Sequence, residues 1–309
     1  MNLTAMAVTD YNLVTVLGAT ASGKTRLAVA LARELEGEII SADSRQVFRG
    51  MDIGTGKDLH EYGNVPYHLI DCCAAGEEFS LFEFLRQFNG AFDGICNRQR
   101  LPILCGGTGL YLDAVLRGYA MVEAPCNQAL REELADKDDL QLVELLQSLK
   151  PQQHNTTDLL ERSRTVRAIE IAHAERQHAV LSPPNGLKPL VFGIRWEREA
   201  LKQRITLRLM QRLECGMVEE VQRLHQQGVG WERLDYYGLE YRWIGRYLQG
   251  LVDYDQMVAG LNAAIHSFSK QQVKWFRRLE RHGVVIQWLE GGGDTFQQAL
   301  AMIALLKKH

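Results

Sequence analysis

A short apolar run, Leu13-Val14-Thr15-Val16-Leu17, leads without a break into Gly18-Ala19-Thr20-Ala21-Ser22-Gly23-Lys24-Thr25, and the amphipathic stretch RLAVALARELE follows at once. Strand, glycine-bounded loop and helix in that order fit the phosphate-binding pattern G-x-x-x-x-G-K-[ST]. The glycines let successive backbone N–H groups converge on an anion, and the helix N-terminus adds its positive end. Lys24 supplies a mobile charge, and Thr25 offers a hydroxyl to Mg²⁺. Residues Gly18 to Thr25 are therefore expected to hold a diphosphate. The loop does not choose between a nucleotide tail and an allylic diphosphate, which present similar oxygens.

Apolar, β-rich runs recur at 38–42, 67–71, 101–105, 190–195 and 283–288. Helical periodicity fills 24–36, 80–99 behind the N-cap candidate Ser80, and 109–117, so strand and helix alternate. That alternation predicts an α/β fold with a parallel sheet. Further on, 127–149 and 156–180 read as helices with no strand between them, and the breaker cluster SPPNG follows at 182–186. The expectation is a P-loop-containing parallel sheet core, 1–120 and 186–309, bearing a mostly helical insertion domain at 121–185. Helices at 197–227, 239–249 and 253–281, a strand, and a last helix behind GGGD at 291–294 complete the core.

The phosphate loop needs an acceptor, and charge is the next guide. The 309 residues carry 35 Lys+Arg against 38 Asp+Glu, net −3, which argues against nucleic-acid binding by bulk charge. Local stripes differ. Between 195 and 212 stand Arg195, Arg198, Lys202, Arg204, Arg208 and Arg212 against Glu197 and Glu199, with Arg204, Arg208 and Arg212 on one helical face. Lys270, Lys274, Arg277, Arg278 and Arg281 crowd another helix, and both stripes suit phosphates. The insertion is acidic on balance; its basic part is Arg131 and the cluster Arg162, Arg164 and Arg167.

No apolar run approaches the roughly 18–20 residues that cross a bilayer, and the first residues lack a basic n-region. A cytoplasmic protein with no membrane partner is expected. The 6 cysteines lack C-x-x-C spacing and read as reduced thiols; the 9 histidines, His60, His68, His154 and His173 among them, show no metal-ligand spacing.

A nucleotide hydrolase carries an acidic residue at the end of a later apolar strand. Here LPILC ends in Gly106-Gly107-Thr108-Gly109-Leu110-Tyr111, which offers a hydroxyl and close backbone approach instead. The second strand ends in Ser41-Ala42-Asp43-Ser44-Arg45-Gln46, at the carboxyl edge where open α/β sheets bind ligands. A carboxylate beside a diphosphate is repelled unless it has another task, such as taking a proton from an incoming nucleophile.

With GATASGKT, SADSRQ, MDIGTGK at 51–57, HLID at 68–71 and GGTGLYL at 106–112 in this order, the chain resembles the tRNA dimethylallyltransferases, also called tRNA isopentenyltransferases. The resemblance runs from about residue 12 to 280 and includes TVRAIEI at 165–171 and QQVKWFR at 271–277. It implies transfer of a dimethylallyl group from dimethylallyl diphosphate to N6 of adenosine-37, in the anticodon stem-loop of tRNAs that read codons beginning with U. Mg²⁺ is the implied cofactor, for which Thr25 of the phosphate loop is the expected ligand, and a monomer is expected. The resemblance assigns Asp43 as general base, Thr108 as a positioning group and Arg208 to the diphosphate. It places Asp43, Ser44, Arg45, Gln46, Arg131, Ser163, Arg164 and Arg167 against tRNA.

The chain departs from the resembling pattern in three places. Tyr237-Gly238-Leu239-Glu240-Tyr241 stands where isoleucine-glycine-tyrosine-lysine-glutamate is usual, so a basic residue is missing. Residues 265–272 replace a threonine-arginine-glutamine segment, and 174–178 lack the usual threonine-glycine pair. Three rival readings remain. A free-adenylate isopentenyltransferase would find the insertion and basic helices superfluous. A P-loop kinase would turn over ATP with an acceptor alcohol. An RNA-binding relative without activity would have no need of Asp43, Lys24, Thr25 and Thr108.

Overall fold

Why three loops from distant parts of the chain meet follows from the order of the strands. The computed structural model describes residues 11–150, 161–175 and 179–306. His154 and the expected helical positions 156–160 and 176–178 lie outside the described residues. Two units are distinguished: the chain up to Gly118 together with everything from Pro184, and the stretch Tyr119–Pro183.

The first unit opens with β1 (Leu13–Gly18), α1 (Lys24–Glu34) and β2 (Gly37–Ala42), then a single 3₁₀ turn at Leu59–Glu61. Next come β3 (Tyr67–His68), α2 (Leu81–Asn97), β4 (Leu101–Gly106) and α3 (Gly109–Leu116). The second unit holds β5 (Met121–Val122), α4 (Gln128–Ala135), α5 (Asp139–Leu149), α6 (Arg162–Ala174) and β6 (Val180–Leu181). The chain then returns through β7 (Pro189–Arg195), α7 (Arg198–Glu214), α8 (Met217–Gln226), α9 (Trp231–Tyr237) and α10 (Leu239–Leu248). It ends with α11 (Tyr254–Arg281), β8 (Ile286–Glu290) and α12 (Thr295–Leu306).

Six parallel strands lie in the order β3-β2-β4-β1-β7-β8. The register pairs Val16 with Cys105 on one side and with Phe192 on the other. β1 and β2 are buried at every residue, which is why they read as continuous apolar runs rather than alternating ones. α1 covers the sheet with Leu27, Ala28, Leu31 and Ala32, and α2 packs Phe84, Phe88, Phe92 and Ile95 at helical spacing. Ser80 caps α2, accepting a hydrogen bond from the Glu83 backbone N–H at 3.1 Å.

Several boundaries differ from expectation, each for a local reason. The expected strand 67–71 stops after His68, because Leu69 and Asp71 take positive φ (62° and 56°), which breaks the extended ladder. The expected helix 197–227 is two helices, parted where Gly216 takes φ 94°. The last strand begins three residues late, since Gly283 at φ 89° is still completing the end of α11. α9 has no counterpart among the expected helices. The helix expected at 127–149 restarts at Asp138, whose carboxylate accepts from Gln141 N while the Gln141 side chain accepts from Asp138 N.

The second unit is mostly helical but not wholly so. Met121 and Val122 pair antiparallel with Leu181 and Val180. Leu134, Leu142, Leu146 and Ile169 form its core. Among the described residues, no helix is long and apolar enough to cross a membrane.

Candidate functional site

The helix after β1 leads toward β2 on one side of the sheet, and the chain after β4 crosses to the other, so β1 and β4 flank the switch point. The loops leaving β1, β2 and β4 converge there. A Cβ on Gly106 would overlap the Ala42 carbonyl, and one on Gly107 would strike the Gln272 amide and approach the Gly18 carbonyl at 3.2 Å. Side chains at these two positions would force the loops apart.

Three residues hold the backbone of the phosphate loop. Gln272 on α11 accepts from Thr20 N–H at 2.8 Å and donates to the Gly107 carbonyl at 3.0 Å, joining the loops after β1 and β4. Trp196 Nε1 donates to the Ser22 carbonyl at 3.0 Å. Arg204 Nε donates to the Ala21 carbonyl at 2.9 Å, and its guanidinium lies 4.2 Å from the Trp196 ring centroid. Ala21 is thereby kept at φ 60°, a left-handed conformation uncommon outside glycine. Gly23, at φ 89°, turns the chain into α1.

These loops, α7, α10 and α11 line a cavity of about 1010 Å³. Thr20, Ala21, Gly23, Lys24, Thr25, Asp43, Ser44, Arg45, Gln46, Thr108 and Arg208 all line it, so most of the site residues expected from the sequence are brought together. Gly18, Ala19 and Ser22 lie behind this wall as part of the same loop, all buried. Asp43 Oδ1 accepts from Arg45 N–H at 2.9 Å, leaving Oδ2 without a partner among the described residues. Thr108 Oγ1 accepts from Ser44 N–H at 2.9 Å, so the hydroxyl braces the turn that presents Asp43. Gln46 is buried: its Oε1 accepts from Ser41 Oγ and its Nε2 donates to the Gly56 carbonyl at 3.1 Å. Arg45 donates to the Tyr236 carbonyl and lies near the Tyr236 and Tyr237 rings.

The arginines of α7 share no common task. Arg204 serves the loop backbone, Arg208 pairs with Asp58, and Arg212 stands 3.9 Å from Glu240. Burial above all lowers the pKa of Lys24, with Arg208 and Arg212 adding to the shift and Asp43 opposing it. Among the described residues, no cluster of three or more His, Cys, Asp and Glu could cage a metal ion. The Thr25 hydroxyl beside Lys24 fits the sparse set Mg²⁺ takes when phosphates and waters supply its other ligands.

Two motifs of the sequence serve as supports for the site. The buried Lys57 of MDIGTGK donates to the Phe48 carbonyl, to Asp52 at 2.6 Å and to Asp71 of HLID. The Glu220 carboxylate, 1% exposed, accepts from the backbone N–H groups of Asp52, Ile53 and Gly54 and from Tyr241 OH. Sequence reading missed Gln272, Trp196 and Glu220, whose backbone partners lie 165 to 252 residues away. The only local signals were polar residues among apolar ones, as with Glu220 on the buried face of α8.

In the second unit, Glu170 is the hub for two of the expected RNA contacts. It accepts from Asn127 N–H at 3.0 Å, Arg131 Nε at 2.7 Å and Arg167 Nη1 at 2.9 Å. Burial pushes its carboxyl up, but these donors outweigh it and hold the pKa at about 2. Ser163 and Arg164 both bind Glu161, at 2.9 and 3.1 Å. Arg131 and Arg167 keep about two fifths of their side-chain surface in solvent. In α11, Lys270, Lys274, Arg277, Arg278 and Arg281 are exposed opposite the buried row that includes Ile265, Gln272 and Phe276.

Residues 46–279 match the IPP transferase family, and residues 11–62 match the isopentenyl transferase family. The chain is 61% identical over 294 residues to tRNA dimethylallyltransferase 2 of Trichlorobacter lovleyi, covering 95% of this chain and 96% of that one. It is 58% identical to tRNA dimethylallyltransferase 1 of Geotalea uraniireducens, covering 95% and 97%. The crystal structure of a full-length tRNA isopentenylpyrophosphate transferase from Bacillus halodurans superposes with a TM-score of 0.70 at 29% identity, over 96% of each chain. A eukaryotic dimethylallyltransferase shares the fold, with a TM-score of 0.75 at 20% identity over 94% of this chain and 78% of that one.

Proposed function

The chain belongs to the IPP transferase family, enzymes that prenylate tRNA, and from that premise we propose how its own residues perform the transfer. The donor is dimethylallyl diphosphate and the acceptor is N6 of adenosine-37, in tRNAs that read codons beginning with U. One observation carries this reading: the Asp43 turn, braced by Thr108, shares a single cavity with the phosphate loop, Lys24 and Arg208.

An adenine amine is a poor nucleophile because its lone pair is delocalised into the ring. The N6 lone pair attacks C1 of the allylic group, the C1–O bond breaks, and diphosphate leaves with the bonding electrons. The N6 proton passes to Asp43 Oδ2, and a base so placed contributes about 10²–10⁴-fold. Lys24, Arg208 and the backbone N–H groups of the loop face the charge that grows on the leaving oxygens. Thr25 would hold Mg²⁺, which would supply further neutralisation of the diphosphate. Turning a loop nucleotide into the cavity costs only a few kcal/mol, far less than opening a duplex. Arg45, Ser44 and Gln46 form the wall that such a base meets, with Arg131, Ser163, Arg164 and Arg167 reaching the RNA backbone. We take one chain as the working unit.

The test is to incubate the protein with Mg²⁺ and labelled dimethylallyl diphosphate together with either tRNA or AMP. Label on adenosine-37 of tRNA is the expected result. Label on AMP alone, or no transfer to either acceptor, overturns the reading.

A further inference from the structure

Arg212 is the least exposed of the three α7 arginines in the cavity wall, with 14% of its side chain in solvent. A Cβ on Gly56 would fall on the Arg212 guanidinium and against that of Arg208, so the two guanidinium ends lie side by side under the Gly56 backbone. Lys24 faces the same cavity from α1. Like charges gathered in a poorly solvated wall repel one another, and burial followed by Arg208 lowers the pKa of Arg212. Each arginine has a carboxylate nearby. Asp58 binds Arg208 directly, whereas Glu240 Oε1 is 3.9 Å from Arg212 Nη1, beyond hydrogen-bond length. The Gly54 carbonyl, 3.5 Å from Arg212 Nη1, is likewise a long partner. Arg212 therefore has most of its hydrogen-bonding capacity uncommitted in a cavity already suited to a diphosphate.

Building on the donor reading above, we propose that Arg212 is a second arginine that binds the donor diphosphate, with Glu240 as the positioning residue that holds it over the cavity. The pair moves to α7 the positive charge that the 237–241 run lacks through Glu240. Two guanidinium groups from successive turns of α7 can then bind oxygens of the two phosphates, while Lys24 and the loop approach from α1. No bond to the prenyl group is made or broken by Arg212 or Glu240; their work is binding and orientation.

Exchanging the charges tests this in the full-length enzyme. Arg212→Met is expected to raise KM for dimethylallyl diphosphate about ten- to a hundredfold, the size expected for loss of a charge-assisted hydrogen bond, with KM for tRNA within about twofold. Adding Glu240→Lys to Arg212→Met returns a cation from α10 and is expected to bring the donor KM to within about threefold of the parent. A purely structural Arg212 would not be rescued in this way. An unchanged donor KM in R212M, or a double variant no better than R212M, overturns the proposal. If R212M does not fold, Glu240→Gln carries the test: it keeps both arginines, and a donor KM that fails to rise overturns the assignment. Transfer to tRNA by the parent with a donor KM indifferent to R212M removes this inference alone, whereas a parent that cannot bind dimethylallyl diphosphate removes the donor reading itself.

Discussion

In the proposed reaction Asp43 divides its two oxygens between structure and chemistry. Oδ1 is tied to the Arg45 amide, and Oδ2 is left for a proton. Asp43→Asn keeps an acceptor for that amide but cannot take a proton at neutral pH. Single-turnover transfer is expected to fall about 10²–10⁴-fold while the Kd for dimethylallyl diphosphate stays within about twofold; parental turnover would remove Asp43 as the base. Gln272 contributes no chemistry, yet it ties Thr20 to Gly107. Gln272→Ala loses both hydrogen bonds and leaves the half-buried Thr20 amide and the Gly107 carbonyl without this partner. We expect roughly 1–3 kcal/mol of destabilisation, read in urea melts, and a donor KM raised about tenfold. The phosphate loop and the Asp43 turn stand out in the sequence because each is built from neighbours within a few positions, whereas Thr108 stands out through its glycine-rich turn although the Ser44 amide it accepts from is 64 residues away. Gln272 was not, because its meaning appears only when α11 meets loops 165 and 252 residues away.

Elements were legible where one periodicity ran uninterrupted, and illegible where backbone conformation overrode it. α2 kept its cap and its apolar stripe as read. Gly216 ended α7 within a stretch whose composition stays helical throughout, and the left-handed Leu69 shortened β3 within an apolar run. In α6 the basic cluster read as a surface for RNA, and its packing adds a role in stability: Arg131 and Arg167 close on Glu170, which is 1% exposed on its side chain. The pKa of Glu170 is depressed from 4.5 to about 2 in the folded state, so its stabilisation is fully present above about pH 4.5 and is lost as pH falls toward 2. Glu170→Gln should therefore be less stable than the parent by roughly 2 kcal/mol at pH 7, with the gap closing between about pH 4.5 and 2. Circular dichroism melts across that range check it, and a gap independent of pH would show that the carboxylate's charge is not what matters.

At the scale of the whole molecule, the alternation of strand and helix was enough to indicate a parallel sheet, but not which loops would meet. That depended on β4 lying between β1 and β2, an order that sets Gly106 so close to the Ala42 carbonyl that a Cβ there would overlap it. All residues lining the cavity come from the unit outside 119–183, whereas Arg131, Ser163, Arg164 and Arg167 belong to the inserted unit. Donor binding and RNA binding should then be separable by excision. The antiparallel pairing of Met121 with Leu181 brings the two ends of the inserted unit together, so a short Gly/Ser linker can replace Tyr119–Pro183. The excised protein is expected to bind dimethylallyl diphosphate within about threefold of the parent by calorimetry, because no group in the cavity wall is removed. Its KM for tRNA should rise at least tenfold, roughly the effect of losing two phosphate contacts at moderate salt, and the salt dependence of tRNA binding should become shallower. If tRNA affinity and its salt slope are unchanged, the inserted arginines do not touch RNA, and the exposed basic row of α11 carries that contact instead.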